Sequence, residues 1–302
     1  MQTINSISQF HRLLSLPDPL HPLVSVVHVE DIRPVKNVVW EGFFLNFYTI
    51  SLKRNVQAKG KYGQSYYDFD KGVMSFTAPR QLQSHVMLAD VQQKELGTGY
   101  VLLLHPDFLL QNPLAYKILT FGYFDYSINE ALHLSVREEQ DILHLFRKIE
   151  QECEHIDTVM QEIVLSQIDL ILNYCNRFYQ RQFITRKLVN SDLLSRLDQL
   201  LSNYFDENKA IHNGLPVVKD LAEQLQVSQR YLSDMARILT GQNTQQLIHG
   251  KLIEKAKERL ITTNLSVSEI AYELGFEHSQ SFNKLFKNKT NVTPLEFRSS
   301  FN

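Results

Sequence analysis

A ten-residue stretch near the end of the chain recurs, differently spelled, 49 positions further on. Residues 218–227, VKDLAEQLQV, align with residues 267–276, VSEIAYELGF, so that Val218, Leu221, Ala222, Leu225 and Val227 match Val267, Ile270, Ala271, Leu274 and Phe276. The spacing is that of one buried helix face. Each copy continues alike. A short polar turn, Ser228-Gln229 or Glu277-His278-Ser279, leads to a second amphipathic segment anchored by Leu232 and Met235, or by Phe282, Leu285 and Phe286. Two short helices can cross closely only where a small residue sits at the crossing, and their turn holds only if an apolar side chain plugs it. Ala222 and Ala271 meet the first need, and Val227 and Phe276 the second. The pattern predicts two helix-turn-helix units, at about 217–240 and 266–288, each leaving the polar face of its second helix outward.

Local signals agree with those boundaries. Ser266 with Glu269, and Thr293-Pro294 with Glu296, are capping boxes, the second with proline at the first helical position. Between the repeats, residues 244–261 read as an amphipathic linker helix with Leu247, Leu252, Ile253, Ala256 and Leu260 inward. Such a helix would be about 27 Å long. Successive major grooves on one face of DNA lie about 34 Å apart, so a stiff linker of this length suits two reading helices in one chain.

The run from 265 to 298, LSVSEIAYELGFEHSQSFNKLFKNKTNVTPLEFR, resembles the second helix-turn-helix of the AraC/XylS regulators, with its Gly275-Phe276 turn, Phe282, Phe286-Lys287 and Thr293-Pro294. The first unit and the linker helix match more loosely. The resemblance covers about 110 residues and implies a cytoplasmic bacterial transcription regulator that is not an enzyme, uses no cofactor, and has double-stranded DNA and RNA polymerase as partners. It also implies which side chains read bases: Gln229, Arg230, Ser233 and Asp234 in the first unit, and Ser279, Gln280, Asn283 and Lys284 in the second. The residue types suit the task, since arginine pairs with guanine and glutamine or asparagine with adenine, each correct pair adding roughly 1–3 kcal/mol of discrimination. Arg237, Lys251, Lys287 and Lys289 are expected on phosphates, where they add affinity rather than sequence information. Two positions depart from the family pattern. Asp234 stands where relatives carry a base, and would repel phosphate unless it accepts from cytosine N4. Asn291 replaces the usual glycine before Thr293-Pro294 and must tolerate left-handed backbone.

Upstream, the texture is different. VSVVHV (from Val24), FFLNFYTISL (from Phe43), SYYDF (from Ser65), VMSFTA (from Val73) and YVLLLH (from Tyr100) are β-like runs separated by turn residues, which predicts a small antiparallel barrel or sandwich. After Pro113 helical periodicity takes over, with helices expected at 136–152 and 157–179. The second repeats Val164, Ile168, Ile171, Cys175 and Phe178 at heptad-like spacing, which fits either a homodimer seam or packing on the β region. Residues 181–190 carry three basic side chains and no acid and read as a linker. A helix at 191–204, with Leu194, Leu197, Leu200, Leu201 and Tyr204 inward, and a loop over 206–216 complete the reading.

The expected architecture is therefore α+β in two domains: residues 1–180, with a helical segment at 136–180, and an all-α domain at 191–302 with two helix-turn-helix units joined by a linker helix. Asp70-Lys71-Gly72 and Pro79-Arg80 through His85 resemble the cupin-like regulatory barrels of AraC relatives, which implies effector sensing or dimerisation. A metal-binding cupin needs clustered imidazoles with a carboxylate. His28, His85 and His105 are isolated and read as structural, so no metal is expected. Trp40, Tyr48, Tyr66, Arg80 and His85 are candidates for an effector pocket, though core packing also explains the aromatics. Net charge splits weakly, residues 215–302 carrying eleven Lys and Arg against nine Asp and Glu while the rest of the chain is net acidic. That sign fits a polyanion partner. The two cysteines suit a reducing compartment, and no signal peptide or membrane span is expected. Two other functions fit parts of the sequence. A cupin enzyme with an appended helical domain would need bound metal, and an interaction adaptor that has lost DNA binding would account for Asp234 and the weak positive charge.

Overall fold

The structure is a computed structural model that describes residues 2–33, 42–54, 61–62, 65–66, 72–83, 97–155, 157 and 159–301. It divides into two compact units, Met1–Gln182 and Phe183–Asn302.

The first unit opens with β1 (Gln2–Ile4), α1 (Ile7–Leu13), β2 (Val24–His28), β3 (Phe43–Leu45) and β4 (Tyr48–Arg54). There follow β5 (Lys61–Tyr62), β6 (Ser65–Tyr66), β7 (Val73–Thr77), β8 (Leu82–Gln83) and β9 (Thr98–Leu104). The unit closes with α2 (Leu114–Lys117), β10 (Leu132–His133), α3 (Val136–Glu152) and α4 (Met160–Thr185). Five strands form an antiparallel sheet in the order β10-β7-β4-β9-β2. β4 and β9 lie centrally and are covered on both faces, so Tyr48 to Leu52 and Val101 to Leu104 are all buried and read as continuous rather than alternating runs. Gly99 is needed in that pairing, because a Cβ there would overlap the Leu52 carbonyl oxygen.

Two expectations are corrected by this sheet. The run from Phe43 is not one strand: β3 and β4 belong to different sheets, and the chain turns between them at Asn46-Phe47. The Asn46 amide donates to Ile4 O, its side chain donates to Asn5 Oδ1 at 2.6 Å, and Phe47 is fully buried against Phe10. Nor is the β region purely antiparallel, since the small β1-β3-β8 sheet pairs β1 with β3 in parallel. Its apolar core joins Ile4, Phe43 and Leu45 to Val27, Val101 and Leu103 of the large sheet.

The helix expected at 136–152 has those bounds, begun by a Ser135–Glu138 capping box. Its successor, expected at 157–179, begins three residues later and runs six further. The heptad-like stripe on α4 is spent within the unit. Val164, Ile168, Ile171, Cys175 and Phe178 are all buried; Cys175 meets Met74 of β7, and neighbouring Tyr179 packs near Phe76. A side chain covered by its own chain cannot also cover a second copy, so these five residues form no homodimer seam.

The second unit is helical. α5 (Lys187–Asp206) and α6 (Lys209–Asn213) precede α7 (Val218–Leu225), α8 (Gln229–Thr240), α9 (Thr244–Thr262), α10 (Val267–Glu273), α11 (Ser279–Thr290) and α12 (Pro294–Ser299). The stretch 181–190, read as a linker, is helical apart from a break at Arg186, and Asn190 ties back to the Phe183 carbonyl at 2.7 Å. α5 buries Leu193, Leu197, Leu201 and Phe205, so Leu197 and Leu201 face inward as expected while Leu194, Leu200 and Tyr204 are half-buried. The expected loop over 206–216 contains α6. On α9 the inward face includes Ile248, while Leu247 is half-buried.

Candidate nucleic-acid interface

The two halves of the repeat share the bonding of their turns. The Val227 amide donates to Ala222 O and the Phe276 amide to Ala271 O, both at 3.0 Å. Both alanines are buried at the crossings of α7 with α8 and α10 with α11. The turn residue preceding each plug is left-handed in both halves: Gln226 at φ 58° and Gly275 at φ 89°. Beyond the second helices, Gly241 and Asn291 are left-handed caps at 76° and 65°, their amides bonded to Arg237 O and Lys287 O. Asn291 therefore does what the family's glycine does.

Both capping boxes read from the sequence are present. Ser266 pairs with Glu269, and Thr293 with Glu296, in reciprocal bonds of 2.7 and 3.2 Å. The Thr293 amide, and then its hydroxyl, hold the Glu296 carboxyl below its ordinary pKa. This contribution is present above the ordinary glutamate range and is lost as pH falls through the lowered value. Thr293→Ala is expected to cost about 1 kcal/mol near neutral pH. Denaturant unfolding near neutral pH checks it, and a variant as stable as wild type would refute the cap.

The inward faces fix the outward ones. On α8, buried Tyr231, Leu232, Met235 and Ala236 leave Gln229 and Arg230 exposed. On α11, buried Phe282 and Phe286 leave Gln280, Asn283, Lys284, Lys287 and Lys289 exposed, with Ser279 half-buried at the start. α11 carries three lysines and no acid. The charge on Lys289 reaches His249 of α9, whose pKa is lowered by burial and then by that ammonium.

Three expected contacts look different in three dimensions. Asp234 is engaged by both arginines of its own helix: Arg230 donates to it at 3.0 Å and Arg237 lies at 3.7 Å. The acid thus neutralises part of its own helix rather than standing as an unpaired negative charge. Ser233 donates its hydroxyl to Thr244 of α9 at 3.3 Å, which ties it to the linker helix. Lys251 is largely buried between Asp198 at 3.1 Å and Glu254 at 3.4 Å. Burial pulls its pKa down, but the Asp198 hydrogen bond and both carboxylates hold it above the ordinary lysine value. An ammonium so placed has its partners already. The signal was in the sequence, since Glu254 follows Lys251 by three, but Asp198 lies on another helix.

In the first unit, the effector-pocket candidates do not come together among the described residues. Trp40 and His85 lie outside them, and Tyr66 is described only as backbone in β6. Tyr48 is buried edge-on to Phe124, and Arg80 is a left-handed turn residue whose amide donates to Leu45 O at 2.7 Å. His28 bonds Glu150 at 2.7 Å, and His105 accepts from the Asp107 amide. No helix among the described residues is long and apolar enough to cross a membrane.

The helical unit thus contains two similarly folded helix pairs, α7–α8 and α10–α11, each with a polar face on its second helix. A family model described as a helix-turn-helix domain matches residues 221–300. The chain is 29% identical over 162 residues to the HTH-type transcriptional activator RhaS of Escherichia coli, covering 53% of this chain and 54% of RhaS. It is 33% identical over 101 residues to the raffinose operon transcriptional regulatory protein RafR of Pediococcus pentosaceus, covering 33% of this chain and 35% of RafR. Among solved structures, the C-terminal domain of the two-component response regulator yesN from Fusobacterium nucleatum is 34% identical, covering 33% of this chain and 95% of that one, with a TM-score of 0.29. The matches to RhaS and RafR thus span about half and about a third of those regulators. The C-terminal unit of this chain thus carries a helix-turn-helix domain of the AraC type.

Proposed function

We propose that this chain is a sequence-specific transcription regulator that binds double-stranded DNA, with α7–α8 and α10–α11 as two helix-turn-helix units. α8 and α11 enter successive major grooves, held by α9. Arg230 with Gln229, and Gln280, Asn283 and Lys284, read base edges, while Arg237, Lys287 and Lys289 sit on phosphates. Lys251 is left out of that set because Asp198 and Glu254 hold it. The observation that carries this reading is the repeated bond from plug to crossing alanine, which gives both halves the same outward helix. Similarity to a transcriptional activator and to an operon regulatory protein supports it. The first unit, with its two apposed sheets, is proposed as a cupin-like sensor of a small effector.

Selection of bound duplexes from a random library, with full-length protein at fixed salt, tests the reading. We expect two clusters of chosen bases about one helical turn apart. Arg230→Ala should erase the preference in one cluster and Lys284→Ala in the other, each at a cost of about 1–3 kcal/mol for its own site. Lys287→Ala should weaken all duplexes alike and flatten the salt dependence by about one ion. Failure to enrich any sequence, together with no binding to random duplex at low salt, would leave an adaptor that has lost its nucleic acid.

A further inference from the structure

The first unit contains a cavity of about 370 Å³ that the sequence reading did not locate, near the lower end of the range for small-molecule sites. One wall is a ladder of hydroxyls built by strand register. Thr49 faces Thr77 and Ser51 faces Ser75 across β4 and β7, and the next residue of β4 on that face is Lys53. Thr49 and Thr77 bond each other at 2.9 Å, leaving the Ser51–Ser75 pair nearest to the lysine. The cavity is also lined by Tyr123 and Tyr179, which stack at 5.4 Å and donate their hydroxyls to Leu172 O and Glu130 O.

Lys53 is the anomaly. Its neighbour Arg54 is paired with Glu139, whereas the Lys53 ammonium has no hydrogen bond or ion pair to any described residue, and no described carboxylate lines the cavity. Desolvation alone holds its pKa below the ordinary lysine value. A cation at the wall of a cavity, with internal partners absent among the described residues, is available to a bound anion in a charge-assisted hydrogen bond. A single cation matches a single negative charge, and among the described residues lining the cavity a phosphate dianion would find no second cation.

We propose that this cavity binds a small polyhydroxylated carboxylate, a sugar acid, with its carboxylate on Lys53, hydroxyls on the Ser51–Ser75 pair and its C–H face against the Tyr123–Tyr179 stack. The inference rests on the reading of the first unit as an effector sensor and names the chemistry of the effector.

Titration calorimetry on the full chain tests it with glucuronate as the probe, against glucuronamide, glucose, glucose 6-phosphate and hexanoate. Glucuronate should bind about tenfold or more tightly than the isosteric neutral amide. Lys53→Met should abolish that preference and Ser75→Ala should weaken the acid. If Lys53→Met fails to fold, the acid-to-amide comparison on the wild-type chain decides alone. Equal binding of acid and amide, tighter binding of hexanoate or of the phosphate, or no binding of any probe would each overturn the assignment. A parallel measurement of affinity for a selected duplex separates the two claims. Glucuronate that binds through Lys53 without changing DNA affinity upholds the site and removes the sensor role, whereas DNA affinity that answers to glucose and not to glucuronate keeps the sensor and overturns the ligand class.

Discussion

Gly275→Ala should destabilise the helical unit by about 2–4 kcal/mol, combining a left-handed backbone penalty of about 1–2 kcal/mol with backbone overlap. Gly275 sits at φ 89°, and a Cβ there would lie 2.7 Å from Gly214 C and 3.0 Å from Ala210 O. Neither neighbour is the movable end of a side chain, so relief requires α6 to shift away from the second helix pair. Gly241→Ala is the control, since it sits at φ 76° with nothing within 4 Å of its Cβ. It should show only the conformational part, about 1–2 kcal/mol. The other half of the repeat supplies a converse test: Gln226 occupies the equivalent turn position at φ 58° and is exposed. Gln226→Gly should gain up to about 1 kcal/mol. Denaturant melts followed by a probe of the helical unit measure all three, and equal costs at 275 and 241 would refute the packing account.

Phe282→Ala should cost about 3–5 kcal/mol, the usual range for truncating a fully buried aromatic. The Phe282 ring is completely covered, 5.5 Å from Phe276 and 5.8 Å from Phe286, so it joins the turn plug to the far end of α11. No single movement fills the space on both sides. The loss should appear as cooperative unfolding and, under native conditions, as faster amide exchange in α10 and α11. A variant that melts like wild type while losing DNA binding would instead assign Phe282 a direct role at the interface. Phe282→Leu separates the effects further, because it keeps most of the apolar volume and should recover much of the stability.

How far the sequence foretold this structure depended on the range of the interactions involved. The helical unit was legible because its constraints are local: a capping serine and its glutamate are three residues apart, and a crossing alanine and its plug five. The face of α5 was legible at Leu197 and Leu201 but not at Leu193 and Phe205, because LDQLLSNYF offers leucines on adjacent faces and only the helices packed against it choose between them. Long-range pairings left no local trace. The parallel β1–β3 contact joins two three-residue strands some forty positions apart, and the Lys251–Asp198 pair spans two helices. The α4 stripe was legible as a stripe, yet periodicity says only that a face is covered and nothing of what covers it. The hydroxyl ladder beside Lys53 depends on a strand register that single-strand alternation cannot supply.

The ion pairs of Asp234 have a kinetic meaning on the proposed reading. α8 has two arginines and spends much of their charge on its own carboxylate, whereas α11 presents three lysines and no acid. Attraction at a distance goes as net charge, while discrimination at contact depends on which bond replaces which. The second helix would therefore govern how fast the protein is captured by any duplex. The first would act late, exchanging an internal partner for guanine and returning to it wherever guanine is absent, so that wrong sequences are left quickly rather than approached slowly.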